Sequence, residues 1–225
     1  MNIKPIAYIR TEFSEKFGVP RQSGLADSLR GTIVFTDEFR NKDAFRGLEG
    51  FSHLWLIWEF SENHGKGNWR PTVRPPRLGG NERMGVFATR SPFRPNPLGL
   101  SCVEIDRLET DAPDGPVIHV RGADLVDGTP IYDIKPYIKY TDSRPHAVCG
   151  YVDALPDRCL EVIISEDLSA KIADRSLIPG LLETLSLDPR PSYHDETARE
   201  YGLSFAGYNV RFKVRDGVLT VVSLD

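Results

Sequence analysis

The chain has 225 residues, 40% of them hydrophobic and 27% charged, with a formal net charge of −4. That length accommodates one large domain or a medium and a small one, and the apolar share is enough for a proper core. No apolar run approaches the roughly 18 residues of a membrane span, the N-terminus lacks a secretory leader's apolar core, and three cysteines without a C-x-x-C pair argue for a reducing, cytoplasmic setting over a disulfide framework.

In chain order, extended segments rich in β-branched and aromatic residues fall at 6–11, 31–35, 51–60, 84–89, 100–108, 117–123 and 132–138, separated by Gly, Pro, Asp and Asn clusters. In the fifth, Cys102 and Glu104 alternate with Val103 and Ile105, which suits a half-buried strand. Within this region 39–48 is the best short helix. Many short strands with little helix predict a mainly β protein whose residues 1–145 form an antiparallel barrel-like domain. After about 145 the pattern changes to a small α+β C-terminal domain, 146–225. It has helical spacing at 167–175 and at 177–187, the latter interrupted by Pro179-Gly180. Val210, Phe212 and Val214 then alternate with Arg211, Lys213 and Arg215 before an Asp216-Gly217 turn and a return strand through Val218, Thr220 and Val222.

The segment 85–101, GVFATRSPFRPNPLGLS, carries Arg90 and Arg94 among Pro92, Pro95 and Pro97. Proline fixes its own φ and biases the preceding residue toward extended backbone, so the path of both arginines is largely set before any ligand arrives. Preorganised guanidinium groups suit carboxylate or phosphate, although a rigid loop of solvated arginines has the same signature. Residues 66–94 hold seven basic side chains against one acid, whereas 153–225 hold 8 basic and 13 acidic. Such a local concentration on an acidic chain reads as an anion site or a solvated cluster.

The five histidines lack metal-ligand spacing, and G-x-S-x-G, the P-loop and G-x-G-x-x-G are all missing, so neither metal chemistry nor a glycine-loop nucleotide site is expected. The cysteines read as small buried hydrophobes. Asp127-Gly128-Thr129-Pro130 forms a tight turn before a strand that holds Asp133 and Lys135 on one face, as an ion pair or as part of a site. Val19-Pro20-Arg21-Gln22 is a fixed turn with donors, and Asp188-Pro189-Arg190 repeats the proline-locked arginine in the second domain, where an interdomain brace is the plainer reading.

Together VPRQ (19–22), RGLEGFSHLWLIWEF (46–60), WRPTVRPPRLGG (69–80), GVFATRSPFRPNPLGLS (85–101), DLVDGTPIYDIKPY (124–137), DPRPSY (188–193) and YNVRF (208–212) closely resemble the TsaA-like tRNA methyltransferases over nearly the whole chain. The resemblance implies a homodimeric, barrel-like enzyme that uses S-adenosylmethionine to methylate N6 of N6-threonylcarbamoyladenosine at tRNA position 37, without a metal or a membrane. It places the cofactor on Pro20, Arg21, Gln22, Ser61, Glu62, Arg90, Leu100, Asp127, Gly128, Thr129 and Pro130. Ser61-Glu62, followed by Asn63-His64, stands where family members often have His-Gln.

For the chemistry, the acylated N6 must lose a proton to become a good nucleophile. Asp133 is the first choice of base, with Lys135 and Tyr137 beside it and Asp127 as the rival. Arg74, Arg77, Arg83 and Arg94, helped by Arg190 and Arg211, are expected along the path of the tRNA anticodon loop, whose bases are already partly unstacked. The alternative from another class is a non-catalytic barrel that binds S-adenosylmethionine or RNA.

Overall fold

The computed structural model describes residues 2–63, 69–80, 82–113, 115–155, 159–190 and 199–225. Six strands close into an antiparallel barrel: β1 (Ala7–Thr11), β2 (Arg30–Phe35), β3 (His53–Glu59) and then, beyond a short ribbon of β4 (Thr72–Val73) and β5 (Met84–Gly85), β6 (Leu98–Glu109), β7 (Val117–Arg121) and β8 (Pro130–Pro136). The order around the barrel is β1-β2-β7-β6-β3-β8, with Ala7 of β1 opposite Ile131 of β8 at the closure. Closing the sheet leaves no edge open to pairing with another chain. Period-two alternation sends Leu54, Leu56 and Trp58 of β3 inward to meet Ile9, Ile33, Val103, Ile118 and Ile131.

The expected strands all contribute to this sheet except 84–89. Only Met84 and Gly85 pair there, because Val86 is buried and Thr89 folds its hydroxyl onto the Val86 carbonyl, closing a turn in place of a ladder. The expected helix at 39–48 is instead a run of short 3-10 turns. Asn41 accepts the Asp43 N–H through its side chain, and Gly47 takes a left-handed conformation, φ 89°, so the backbone is turned before a full helix can propagate.

After a single turn, α1 (Lys139–Asp142), the second unit contains β9 (Glu161–Ile163), α2 (Glu166–Ala170), α3 (Ile178–Ser186), β10 (Glu200–Phe205), β11 (Tyr208–Arg215) and β12 (Val218–Leu224). Its sheet runs β10-β11-β12-β9, with β9 parallel to β12. Asp216 and Gly217 both have positive φ, the geometry of a type I′ hairpin turn. Pro179-Gly180 does not interrupt α3. Pro179 sits in the first helical turn, where a missing N–H removes no intrahelical bond, and a Cβ on Gly180 would meet Leu29 Cδ2 at 3.2 Å.

The connection between β1 and β2, residues 12–29, ties the two units together. Phe13, Ala26 and Leu29 are buried in the same cluster as Leu181, Leu203, Phe205 and Phe212 of the second unit, with Phe17 and Val19 packed against them. Phe13 and Phe205 meet edge to face with centroids 5.6 Å apart. Polar links reinforce the contact: Ser28 donates from its N–H and its Oγ to the two oxygens of Glu183 at 2.8 and 2.6 Å, and Ala206 N–H donates to the Glu12 carbonyl at 2.7 Å.

Candidate active site at the barrel mouth

At the end of the barrel where β3 stops and β6 and β8 begin, a cleft of about 1820 Å³ opens. One wall is the 19–22 turn. Opposite it stand the end of β3 through Glu62, the arginine-rich arm that includes Arg70, Arg83 and residues 87–94, and Leu98 to Leu100 of β6. Asp124, Val126 and Thr129 also line it, and the second unit contributes Leu187, Asp188 and Arg190.

Segments distant in sequence are bonded to one another here. Arg90 Nη1 donates to Gln22 Oε1, and Gln22 Nε2 donates to the Arg21 carbonyl, so the proline-braced arm and the VPRQ turn are joined across the cleft. Arg94 folds back, donating to the Thr89 carbonyl at 2.9 Å and the Ser91 carbonyl at 3.4 Å, which stiffens the arm. Arg70 lies over the Phe93 ring at 5.9 Å, and Arg83 donates to Thr72 Oγ1 at 3.1 Å.

Of the expected cofactor residues, Pro20, Arg21, Gln22, Ser61, Glu62, Arg90, Leu100 and Thr129 line this cleft. Asp127, Gly128 and Pro130 lie behind it. Asp127 accepts the Thr11 N–H at 3.1 Å and pairs with Arg10 at 3.3 Å, while Gly128, φ 75°, donates to the Ile9 carbonyl at 2.8 Å. These bonds pin the turn to β1, and Thr129 is thereby presented to the cleft.

Asp133 and Lys135 project from the outer face of β8, where they form an ion pair at 2.9 Å, and Tyr137 packs near the rings of His53 and Trp55. None of the three lines the cleft. Among the expected RNA contacts, Arg74, Arg83, Arg94 and Arg190 line it; Asp188 holds Arg190 through two bonds at 2.7 and 2.9 Å. Arg211 pairs with Glu200 at 3.2 Å on the hairpin, away from the cleft. The Arg77 side chain, His64 and residues 191–193 of the DPRPSY motif lie outside the described residues. Cys149 and Cys159 are exposed, contrary to their reading as buried hydrophobes, because both sit in connecting segments at the rim; all three cysteines are free.

A buried polar chain at the mouth was not foreseen from sequence. Trp58 Nε1 donates to Ser101 Oγ at 2.9 Å, and Ser101 Oγ donates to Asp124 Oδ1 at 2.5 Å. Ser101 is 1% exposed on the inward face of β6, and a serine in that apolar alternation was the available signal. Gly99 makes room for the indole, since a Cβ there would lie 2.2 Å from Trp58 Cε2. Tyr132 donates its hydroxyl to Glu59; burial and the adjacent carboxylate push its pKa up to about 12, so it remains a phenol. No cluster able to hold a metal occurs among the described residues, and no described helix is long and apolar enough to cross a membrane.

The tRNA-methyltransferase O N-terminal domain model matches residues 8–143, and the TrmO C-terminal domain model matches residues 157–225. The class is thus a tRNA methyltransferase built on a closed barrel, which accords with the missing glycine-loop fingerprint. Among its relatives, the tRNA (adenine(37)-N6)-methyltransferase of Escherichia coli K12 is 42% identical, over 98% of this chain and 96% of that protein. A Pseudomonas aeruginosa relative named "Putative S-adenosylmethionine-dependent methyltransferase RcsF" is 41% identical, over 90% of this chain and 87% of its own. The crystal structure of TrmO from Pseudomonas aeruginosa superposes with a TM-score of 0.82 at 32% identity, covering 100% of this chain and 98% of that one. The chain belongs to the tRNA-methyltransferase O family.

Proposed function

We propose that this chain transfers the methyl group of S-adenosylmethionine to N6 of adenine 37 in tRNA, and that the acceptor is the N6-threonylcarbamoyl form of that adenosine. The observation that carries the reading is the convergence of the 19–22 turn, Arg90 and Thr129 on one cleft at the barrel mouth. The residues present fit the donor: Gln22 and Arg90 offer hydrogen bonds suited to an amino-acid carboxylate, and Phe60, Leu100 and Val126 offer apolar wall for a purine. Bound there, the sulfonium supplies an electrophilic methyl carbon. The protein's work is to hold donor and acceptor in line and keep bulk water out. Incubating the protein with labelled donor and threonylcarbamoylated tRNA tests this: a mass gain of one methylene on that nucleoside is expected, and label absent from it, or placed elsewhere, sinks the reading.

Arg74, Arg77, Arg83, Arg94, Arg190 and Arg211 are assigned to the RNA path, a reading supported by the place of Arg74, Arg83, Arg94 and Arg190 around the cleft. Arg83→Ala is expected to weaken tRNA binding and to lower the slope of log affinity against log salt by about 1. An unchanged slope and affinity remove Arg83 from the path. Asp127, Gly128 and Pro130 are assigned to cofactor binding through the turn they shape. The working unit is taken to be a homodimer, supported by Leu100, 53% exposed, and Phe87, 74% exposed, at the mouth. Sedimentation at twice the monomer mass is expected, and a monomer at assay concentration contradicts it. The division into a barrel domain, 1–145, and a C-terminal domain, 146–225, is supported by the two hydrophobic clusters. A tRNA substrate and free cysteines favour the cytoplasm.

A further inference from the structure

Four carboxylates line the cleft: Glu59, Glu62, Asp124 and Asp188. Glu59 is engaged by the Tyr132 hydroxyl, Asp188 is clamped by Arg190, and Glu62 lies exposed at the rim. Asp124 differs. It lines the barrel mouth, largely covered, and accepts from neutral donors: Ser101 Oγ from β6, the Ser23 backbone N–H from the β1–β2 connection, and its own backbone N–H. Arg90, on the arm, is the charged group whose field reaches it. A carboxylate has about four lone-pair sites, so three neutral donors still leave it able to accept a proton from the cleft.

We propose that Asp124 is the general base of the methyl transfer, with Ser101 as the positioning residue that orients it and Trp58 fixing Ser101 in turn. The proposal rests on the activity argued above and goes beyond it by naming the group that takes the proton. In the step, N6 of the acylated adenosine gives its proton to the Asp124 carboxylate as its electron pair forms the bond to the methyl carbon. The carbon–sulfur bond breaks, its pair stays on sulfur, and the positive charge of the sulfonium is cancelled. Asp124, now a neutral acid, returns the proton to solvent through the cleft.

The environment suits the role. Burial pushes the Asp124 carboxyl above the ordinary aspartate range, opposed by the Ser101 hydrogen bond and the Arg90 charge, which brings a weak base closer to neutrality. Activity should therefore fall as pH drops through this raised value, because the base must be ionised to act.

The test uses the full chain with threonylcarbamoylated tRNA. Asp124→Asn is expected to lower the single-turnover rate by about 10²-fold or more while calorimetry shows donor and tRNA bound as in the parent; the acid limb of the pH–rate profile should disappear. Ser101→Ala removes a bond that favours the ionised form, so the acid limb should move to higher pH at retained donor affinity, which a purely structural bond would not produce. Carbon-13 titration of labelled aspartate should show one resonance with a raised midpoint that is missing from Asp124→Asn. A parent-like rate in Asp124→Asn overturns the proposal, as does a Ser101→Ala limb that stays in place. If Asp124→Asn loses donor binding or unfolds, the Ser101→Ala profile decides. A parent enzyme that leaves this tRNA unmethylated overturns the wider reading instead.

Discussion

Phe205→Ala is expected to lower the unfolding free energy by about 3–5 kcal/mol and, at temperatures where both proteins are folded, to weaken donor binding. Phe205 is 1% exposed and stands on β10, in the second unit, with no atom at the cleft. Its ring packs edge to face on Phe13, which belongs to the connection that also carries Pro20, Arg21 and Gln22. Truncation to alanine leaves a cavity beneath that connection, and the 19–22 turn loses part of its support. Thermal unfolding and donor calorimetry on the same samples check both halves. Lost stability with an unaltered donor dissociation constant would show that the turn holds its shape without this core.

Arg90→Ala should weaken donor binding by about 10- to 100-fold, the worth of a charge-assisted hydrogen bond of roughly 1.5–3 kcal/mol. Two losses combine: the guanidinium no longer meets the carboxylate proposed for it, and Gln22 Oε1 loses the donor that holds the turn against the arm. Arg90→Lys keeps the charge but not the planar fork, so it should recover only part of the affinity. Donor affinity equal to the parent's in Arg90→Ala would move the cofactor elsewhere in the cleft.

The barrel and the final hairpin were legible because both depend on local pattern. Alternation in β3, β6 and β11 has period two, and Asp216-Gly217 is a turn that announces itself. The 39–48 segment misled because its apolar spacing resembles a helix, while Asn41 and Gly47 decide the backbone. The convergence of Arg90 with the VPRQ turn was reached through motifs, and the structure supplies the bond between them. Trp58, Ser101 and Asp124 were invisible as a set, since they come from β3, β6 and the loop before β8 and only the closed sheet brings them together. The Asp133–Lys135 pairing followed from strand period, but no local pattern tells which face of β8 looks into the cleft. That Phe13 and Leu29 would sit in the second core could not be read from a stretch separated from Phe205 and Leu181 by more than half the chain.

The 12–29 connection is structural filling for one half of the molecule and ligand wall for the other. Occupancy of the mouth by small molecule or RNA is therefore linked by mass action to the cohesion of the distant carboxyl-terminal β-ribbon, and the linkage is reciprocal. Loosening that ribbon costs affinity, and a filled mouth tightens the ribbon, although no residue of β11 or β12 lines the cleft itself.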